Sequence, residues 1–229
     1  MRMILEFTRE ERVKYISHLD LVRAMQRTMR RGKIPIAFSQ GFNPHPKLAF
    51  ASALPVGVTS SSEFMDIILS QPMEISELIR RFNVALPKGI SVKDAVSIDD
   101  SIPSLMSLIE RADYRVCVDI SGLDYQQGIN SFLQQSEIII EKQGKKGPST
   151  VNLREGIFDI SIGNGDNQEL FLSLRSGSIG NIRPETVATE LLKSMGVENA
   201  MDIPLIIHRV GLYMEQDGKW VTPLALKRR

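Results

Sequence analysis

The chain has 229 residues, 42% hydrophobic and 24% charged, with a formal net charge of only +1. That composition excludes a disordered chain and a polycation. A single cysteine, Cys117, excludes an intrachain disulfide framework and a cysteine-held zinc or iron–sulfur site within one chain. No stretch approaches the ~20 apolar residues of a membrane span. Met1-Arg2-Met3-Ile4-Leu5-Glu6-Phe7 lacks the apolar core of a signal peptide, so the expected location is the cytoplasm, with no membrane partner.

In chain order, residues 2–8 alternate as a first strand. Ser17 is a natural N-cap for a helix over 18–31, and Asp20 puts negative charge in its first turn, where the helix dipole favours it. Val22, Met25 and Met29 give a buried stripe, and Gly32 ends the helix. Residues 34–38 read as a short strand. Gly41, Pro44 and Pro46 make 39–46 a loop. An apolar run at 48–54, a strand at 63–69, an amphipathic helix at 75–86 and a strand at 90–98 complete the first half.

The second half begins near Ala112. Strands are predicted at 114–120 and 137–141, with a helix at 125–135 between them. Cys117 lies within the first of these strands, as a small buried apolar side chain. A basic turn at 142–148, a strand within 152–162, a hairpin turn at Gly163-Asn164-Gly165-Asp166 and a strand at 170–174 follow. Pro184 opens a helix that Gly196 closes, and 203–213 returns as a strand. The pattern predicts an α/β chain of the α+β kind. It has two ferredoxin-like βαββαβ halves, 1–100 and 112–229, joined by a linker at 101–111. Their sheets are mainly antiparallel, with helices packed on one face.

Charge is segregated. Residues 1–47 hold ten basic and four acidic residues, an excess of six positive charges in a chain of total +1, so the remainder has an excess of five negative ones. Arg23, Arg27, Arg30 and Arg31 fall at i, i+4, i+7 and i+8, on one side of the predicted helix. Four like charges there repel one another, which an anion docked on them relieves. With Lys33 and Lys47 they form a candidate surface for a phosphate backbone or an acidic partner. The alternative is a solvated helix face with acids from elsewhere nearby.

The loop Ser39-Gln40-Gly41-Phe42-Asn43-Pro44-His45-Pro46 adds other chemistry. Gln40 and Asn43 offer the paired donors and acceptors that read base edges, and Phe42 is a ring for stacking. The alternative is a rigid turn with Phe42 buried. His18, Asp20 and His45 are the candidates for acid–base catalysis. No metal site is expected, since His18 and Asp20, two apart on a helix, diverge. P-loop, dinucleotide, nucleophile-elbow and HExxH motifs are missing from the sequence, and no cofactor is expected. Arg154 and Arg183, at element ends, are read as structural.

Ser17-His18-Leu19-Asp20-Leu21, Ile34-Pro35, Phe38-Ser39-Gln40-Gly41-Phe42-Asn43-Pro44-His45-Pro46 and Ala53-Leu54-Pro55-Val56-Gly57-Val58 resemble the radical-SAM-linked family of bacterial proteins. The likeness is dense over 12–70 and looser through Leu153-Arg154, Ile182-Arg183-Pro184 and His208-Arg209. The resemblance implies a protein found beside, or fused to, a radical SAM protein. This chain lacks the three-cysteine cluster motif, so the resemblance makes it the partner and not the catalyst. The expectation is a non-catalytic accessory protein that holds RNA or a substrate for its radical SAM partner. An RNA-modifying or RNA-cleaving enzyme using His18, Asp20 or His45, and a protein–protein adaptor without nucleic acid, are the alternatives.

Overall fold

The computed structural model describes residues 1–118, 122–144, 147–163, 169–178 and 180–227, with main chain alone at 142–144. The chain is α+β, and its named strand pairs are antiparallel. It divides into two compact units, residues 1–110 with 209–229 and residues 111–208. The return of 209–229 to the first unit differs from the expected halves.

In the first unit, β1 (Arg2–Arg9) lies between β3 (Thr59–Ile68) and β4 (Val92–Ile98). The short β2 (Leu48–Phe50) pairs with Met65, Asp66 and Ile67 of β3. Met3, Leu5 and Phe7 of β1 turn one face toward two helices, α1 (His18–Arg31) and α2 (Ile75–Ala85). Leu21, Met25 and Met29 of α1 and Leu78 and Phe82 of α2 meet them with no more than a few per cent of their surface exposed. Each such side chain is worth about 1.5–3 kcal/mol of burial, so this face is the folding core of the unit. The turn of α3 (Leu105–Leu108) touches β2 and β3, and the 3₁₀ turn Pro223–Leu226 lies against β1 and β4. From residue 209 onward β10 (Leu205–Gln216) runs in this unit, beside β3 and paired with β11 (Lys219–Val221).

The stripe of α1 is close to the predicted one. Leu21 and Thr28 join Met25 and Met29 inside, and Val22 is half-buried. Gly32 is required by close approach, since a Cβ there would stand 2.9 Å from the Arg81 carbonyl oxygen. The strand expected at 34–38 reduces to two bridges, Ile36 to Leu69 and Phe38 to Pro46. Pro35 has no N–H to give a ladder, which limits pairing there. The expected linker contains α3.

In the second unit β9 (Glu169–Arg175) lies between β5 (Arg111–Val118) and β8 (Ile157–Ile162). Asp124 caps α4 (Tyr125–Gln134) by accepting from the Gln127 amide, and Pro184 starts α5 (Pro184–Ser194). The two helices pack together, α4 on β8 and α5 on β5. β6 (Ile139–Gly144) and β7 (Gly147–Asn152) pair as a hairpin up to Gly144 and Gly147, so 142–144 and 147–148 of the expected basic turn lie in strands. Residues 145–146 lie outside the described residues, as do 164–166 of the predicted glycine turn, 119–120 of the predicted strand and 228–229. Arg154 is structural, donating to the carbonyls of Leu133 and Ile157. Cys117 is half-buried, and burial pushes its thiol up, so it stays protonated.

Candidate functional site

The first unit gathers most of the predicted site residues around the start of α1. Ser17 accepts the Asp20 amide at 3.1 Å and donates its hydroxyl to the Asp20 carboxylate at 2.7 Å. These two bonds fix the first turn and hold the Asp20 carboxyl below its usual range, with Arg23 at 3.4 Å adding to the effect. Asp20 is thereby engaged in capping. His18 meets the ring of Phe50 edge-on, with centroids 5.3 Å apart, and Phe50 meets Phe7 in the same way at 5.8 Å. The imidazole is thus anchored through β2 to the buried core of β1.

The 39–46 loop is closed by its own residues. The Ser39 amide donates to the His45 carbonyl at 2.9 Å. The His45 amide donates to Ser39 Oγ at 3.1 Å, and that oxygen lies 2.9 Å from His45 Nδ1. The tautomer with its proton on Nε2 lets Ser39 accept from the main chain and donate to Nδ1 at once. His45 then presents Nε2–H as a donor. Gly41, with φ +120°, makes the turn. Gln40, Asn43, His45 and Lys47 are exposed, and the Phe42 ring is exposed over its whole surface. The alternative of a turn with Phe42 buried is therefore not met. The loop is rigid, and the ring stands outside it.

His18 and His45 line one cleft of about 340 Å³, together with Val22 and Gln26 of α1, and Phe50 and Ser52 at β2. Asp20 is not part of it. Gln26 sits one helical turn from both Arg23 and Arg30, so the basic side of α1 borders the cleft. Arg23, Arg27, Arg30 and Arg31 are all exposed. Arg23 reaches Asp20, and Arg31 donates to the Ala85 carbonyl at 2.6 Å. Among the described residues no side-chain hydrogen bond or ion pair reaches Arg30, Lys33 or Lys47, and Arg27 acts on Asp20 only through its charge. The four helix arginines thus form a cationic surface only partly neutralised within the protein.

Beneath the cleft lies a group that the sequence reading passed over. Arg9, Glu63 and Arg209 are 1%, 3% and 1% exposed. Arg209 Nη1 stands 3.3 Å from Glu63 Oε2. Burial pushes the Glu63 carboxyl up, against the pull of Arg209, Ser60 and Arg9. Both arginines also donate to main-chain carbonyls, Arg9 to Val13, Ile16 and Leu54, and Arg209 to Ala53. One of the segments so pinned leads into His18, and the other follows Ser52. Arg9 carries no motif, which is why a reading by motif misses it.

His208 belongs to the second unit, where burial, then Arg115, pulls its imidazole down. Among the described residues no group of three His, Cys, Asp or Glu side chains is placed to hold a metal ion. No helix among them is long and apolar enough to cross a membrane.

Residues 2–184 match the bacterial family described as "Uncharacterized protein conserved in bacteria (DUF2344)". The chain belongs to this family. No curated protein matches the sequence. Among solved structures, a chain from the crystal structure of a Cbf5–Nop10–Gar1 complex superposes with a TM-score of 0.50 at 9% identity. The match covers 96% of this chain and 52% of that one, so this chain spans about half the length of its structural neighbour. At that identity the likeness is one of fold. The family assignment places the residues of the cleft, the basic helix and the loop inside the matched segment.

Proposed function

We propose that this family member is a non-catalytic accessory protein that binds single-stranded RNA across α1 and the 39–46 loop, for a radical SAM protein as its partner. The partner rests on the motif resemblance of residues 12–70 alone. The RNA reading rests on chemistry. Arg23, Arg27 and Arg30 supply cations for phosphates, and Gln40, Asn43 and the Nε2–H of His45 supply hydrogen bonds to base edges. The observation that carries it is Phe42, a fully exposed phenyl ring on a loop locked by Ser39 and His45. Such a ring gains nothing from folding and stacks readily on an unpaired base.

Phe42→Ala is expected to weaken binding of a short unstructured oligoribonucleotide by roughly tenfold, since stacking one base is worth about 1–3 kcal/mol. Its melting temperature should match wild type, because the ring buries nothing. Fluorescence polarisation checks the first and a thermal melt the second. Wild-type affinity in Phe42→Ala would remove the loop from the binding surface. A second reading, an RNA-modifying or RNA-cleaving enzyme, is favoured by one observation, the shared cleft of His18 and His45. On that reading His45→Ala keeps RNA affinity and abolishes turnover. Turnover by the wild-type chain is the result that would establish it. If RNA is not bound even at low salt, the adaptor reading takes its place.

A further inference from the structure

At the far end of α1 from His18, a second cleft of about 450 Å³ opens against the end of α2. It is lined by Arg31, Lys33, Arg80 and Arg81, with Gly32 and Ala85 between them. Four cations line it, and two of them, Arg80 and Arg81, engage one carboxylate, Glu77. That acid takes both guanidinium groups of its own helix, Arg80 Nε at 2.7 Å with Nη2 at 2.8 Å, and Arg81 Nε at 2.7 Å. Arg81 Nη1 also donates to the Lys33 carbonyl at 3.0 Å, and Arg31 Nη2 to the Ala85 carbonyl at 2.6 Å. The guanidinium groups are therefore held in place while keeping further N–H donors, and the cleft has three positive charges in excess.

Lys33 adds an independent sign. The Ile34 amide closes on the Met29 carbonyl at 3.0 Å and the Lys33 amide on the Arg30 carbonyl at 3.3 Å, which is a Schellman ending to α1. The residue in the left-handed position of that motif is usually glycine. Here it is Lys33, with φ +51°. A lysine is strained there, and the strain puts an ammonium group on the rim of a cleft already rich in arginine.

We infer that the cleft between the ends of α1 and α2 is a phosphate-binding site, with Lys33, Arg31, Arg80 and Arg81 as its donors. Rigid guanidinium forks suit the planar pairing of phosphate oxygens, and the lysine supplies a mobile point charge. Glu77 is the positioning residue. Held down to about 2 by Arg80 and Arg81, it stays ionised and keeps both arginines oriented through the neutral and mildly acidic range. The site is separate from the surface proposed for RNA bases, and its test is separate as well.

The test is calorimetric titration of the full chain with pyrophosphate at low salt. Wild type should bind. Lys33→Gly should bind roughly tenfold more weakly, yet melt no lower, because glycine relieves the left-handed strain. Arg80→Gln should weaken binding in the same direction. Arg23, Arg27 and Arg30 changed together to alanine should leave pyrophosphate affinity within about twofold, since they lie outside the lining of this cleft. The inference is overturned if wild type gives no heat, if Lys33→Gly binds as wild type, or if the triple variant loses pyrophosphate in its place. Competition then identifies the source. Displacement by an oligoribonucleotide without terminal phosphates assigns the site to a backbone diester, displacement by a mononucleotide alone to a free nucleotide, and displacement by neither to inorganic phosphate.

Discussion

Glu63→Ala is expected to lower the stability of the chain by about 3–5 kcal/mol, the usual cost of removing one partner from a buried ion pair. The arginines explain the size of the effect. Arg9 and Arg209 are almost fully enclosed, and both depend on Glu63 for a counter-charge. Without it two buried guanidinium groups lose the carboxylate they share. Changing Glu63 and Arg209 together to apolar residues of similar volume should cost less than Glu63→Ala, because no charge of that pair is then left behind. Urea denaturation of the single and double variants checks both statements. Equal losses in the two would show that the pairing of Glu63 with Arg209 is not what makes the single change costly. Because the same arginines pin the segments on either side of the cleft, Glu63→Ala should also weaken RNA binding in the fraction that remains folded.

Phe50→Ala carries the second large effect. Phe50 is 6% exposed and stands between Phe7 of the core and His18 of the cleft. Truncating a phenylalanine so placed costs about 3–5 kcal/mol in lost burial and cavity formation. It also removes the ring against which His18 rests. The expected result is a lower melting temperature and a His18 whose side-chain resonances show averaging among rotamers. Phe50→Leu should recover most of the stability and less of the ordering of the imidazole, since it fills space without an aromatic edge. Retained His18 order in Phe50→Ala would mean that other contacts hold the ring.

Much of the first unit was legible in the sequence, for physical reasons. Ser17 before a three-four apolar spacing specifies the start of α1 and its inward side, and both are found. The glycine and prolines of 39–46 specify an irregular segment, and one is found. Side-chain placement within it was not legible. Only the hydrogen bonds of Ser39 to His45 show that the loop is closed on itself, and only the packed structure shows Phe42 left outside. The two histidines are 27 positions apart in sequence, and their meeting in one cleft depends on β2 pairing with β3. The return of 209–229 to the first unit depends on β10 lying beside β3, a long-range pairing with no local signal. Arg9 and Arg209 were illegible for another reason. Composition places arginine on the surface, and a buried arginine becomes reasonable only once Glu63 faces it.

On the proposed function, the basic side of α1 holds the phosphates of a single-stranded RNA. The most direct measurement is the affinity of the full chain for an unstructured oligoribonucleotide over a salt series, wild type against Arg23, Arg27 and Arg30 changed together to alanine. Each phosphate contact on a single strand contributes about 0.7 to the slope of log affinity against log salt. The wild-type slope is expected to be steep and to fall by about 2 in the triple variant, with affinity lower at every salt concentration. Equal slopes in the two proteins, or no binding by wild type at low salt, would contradict it.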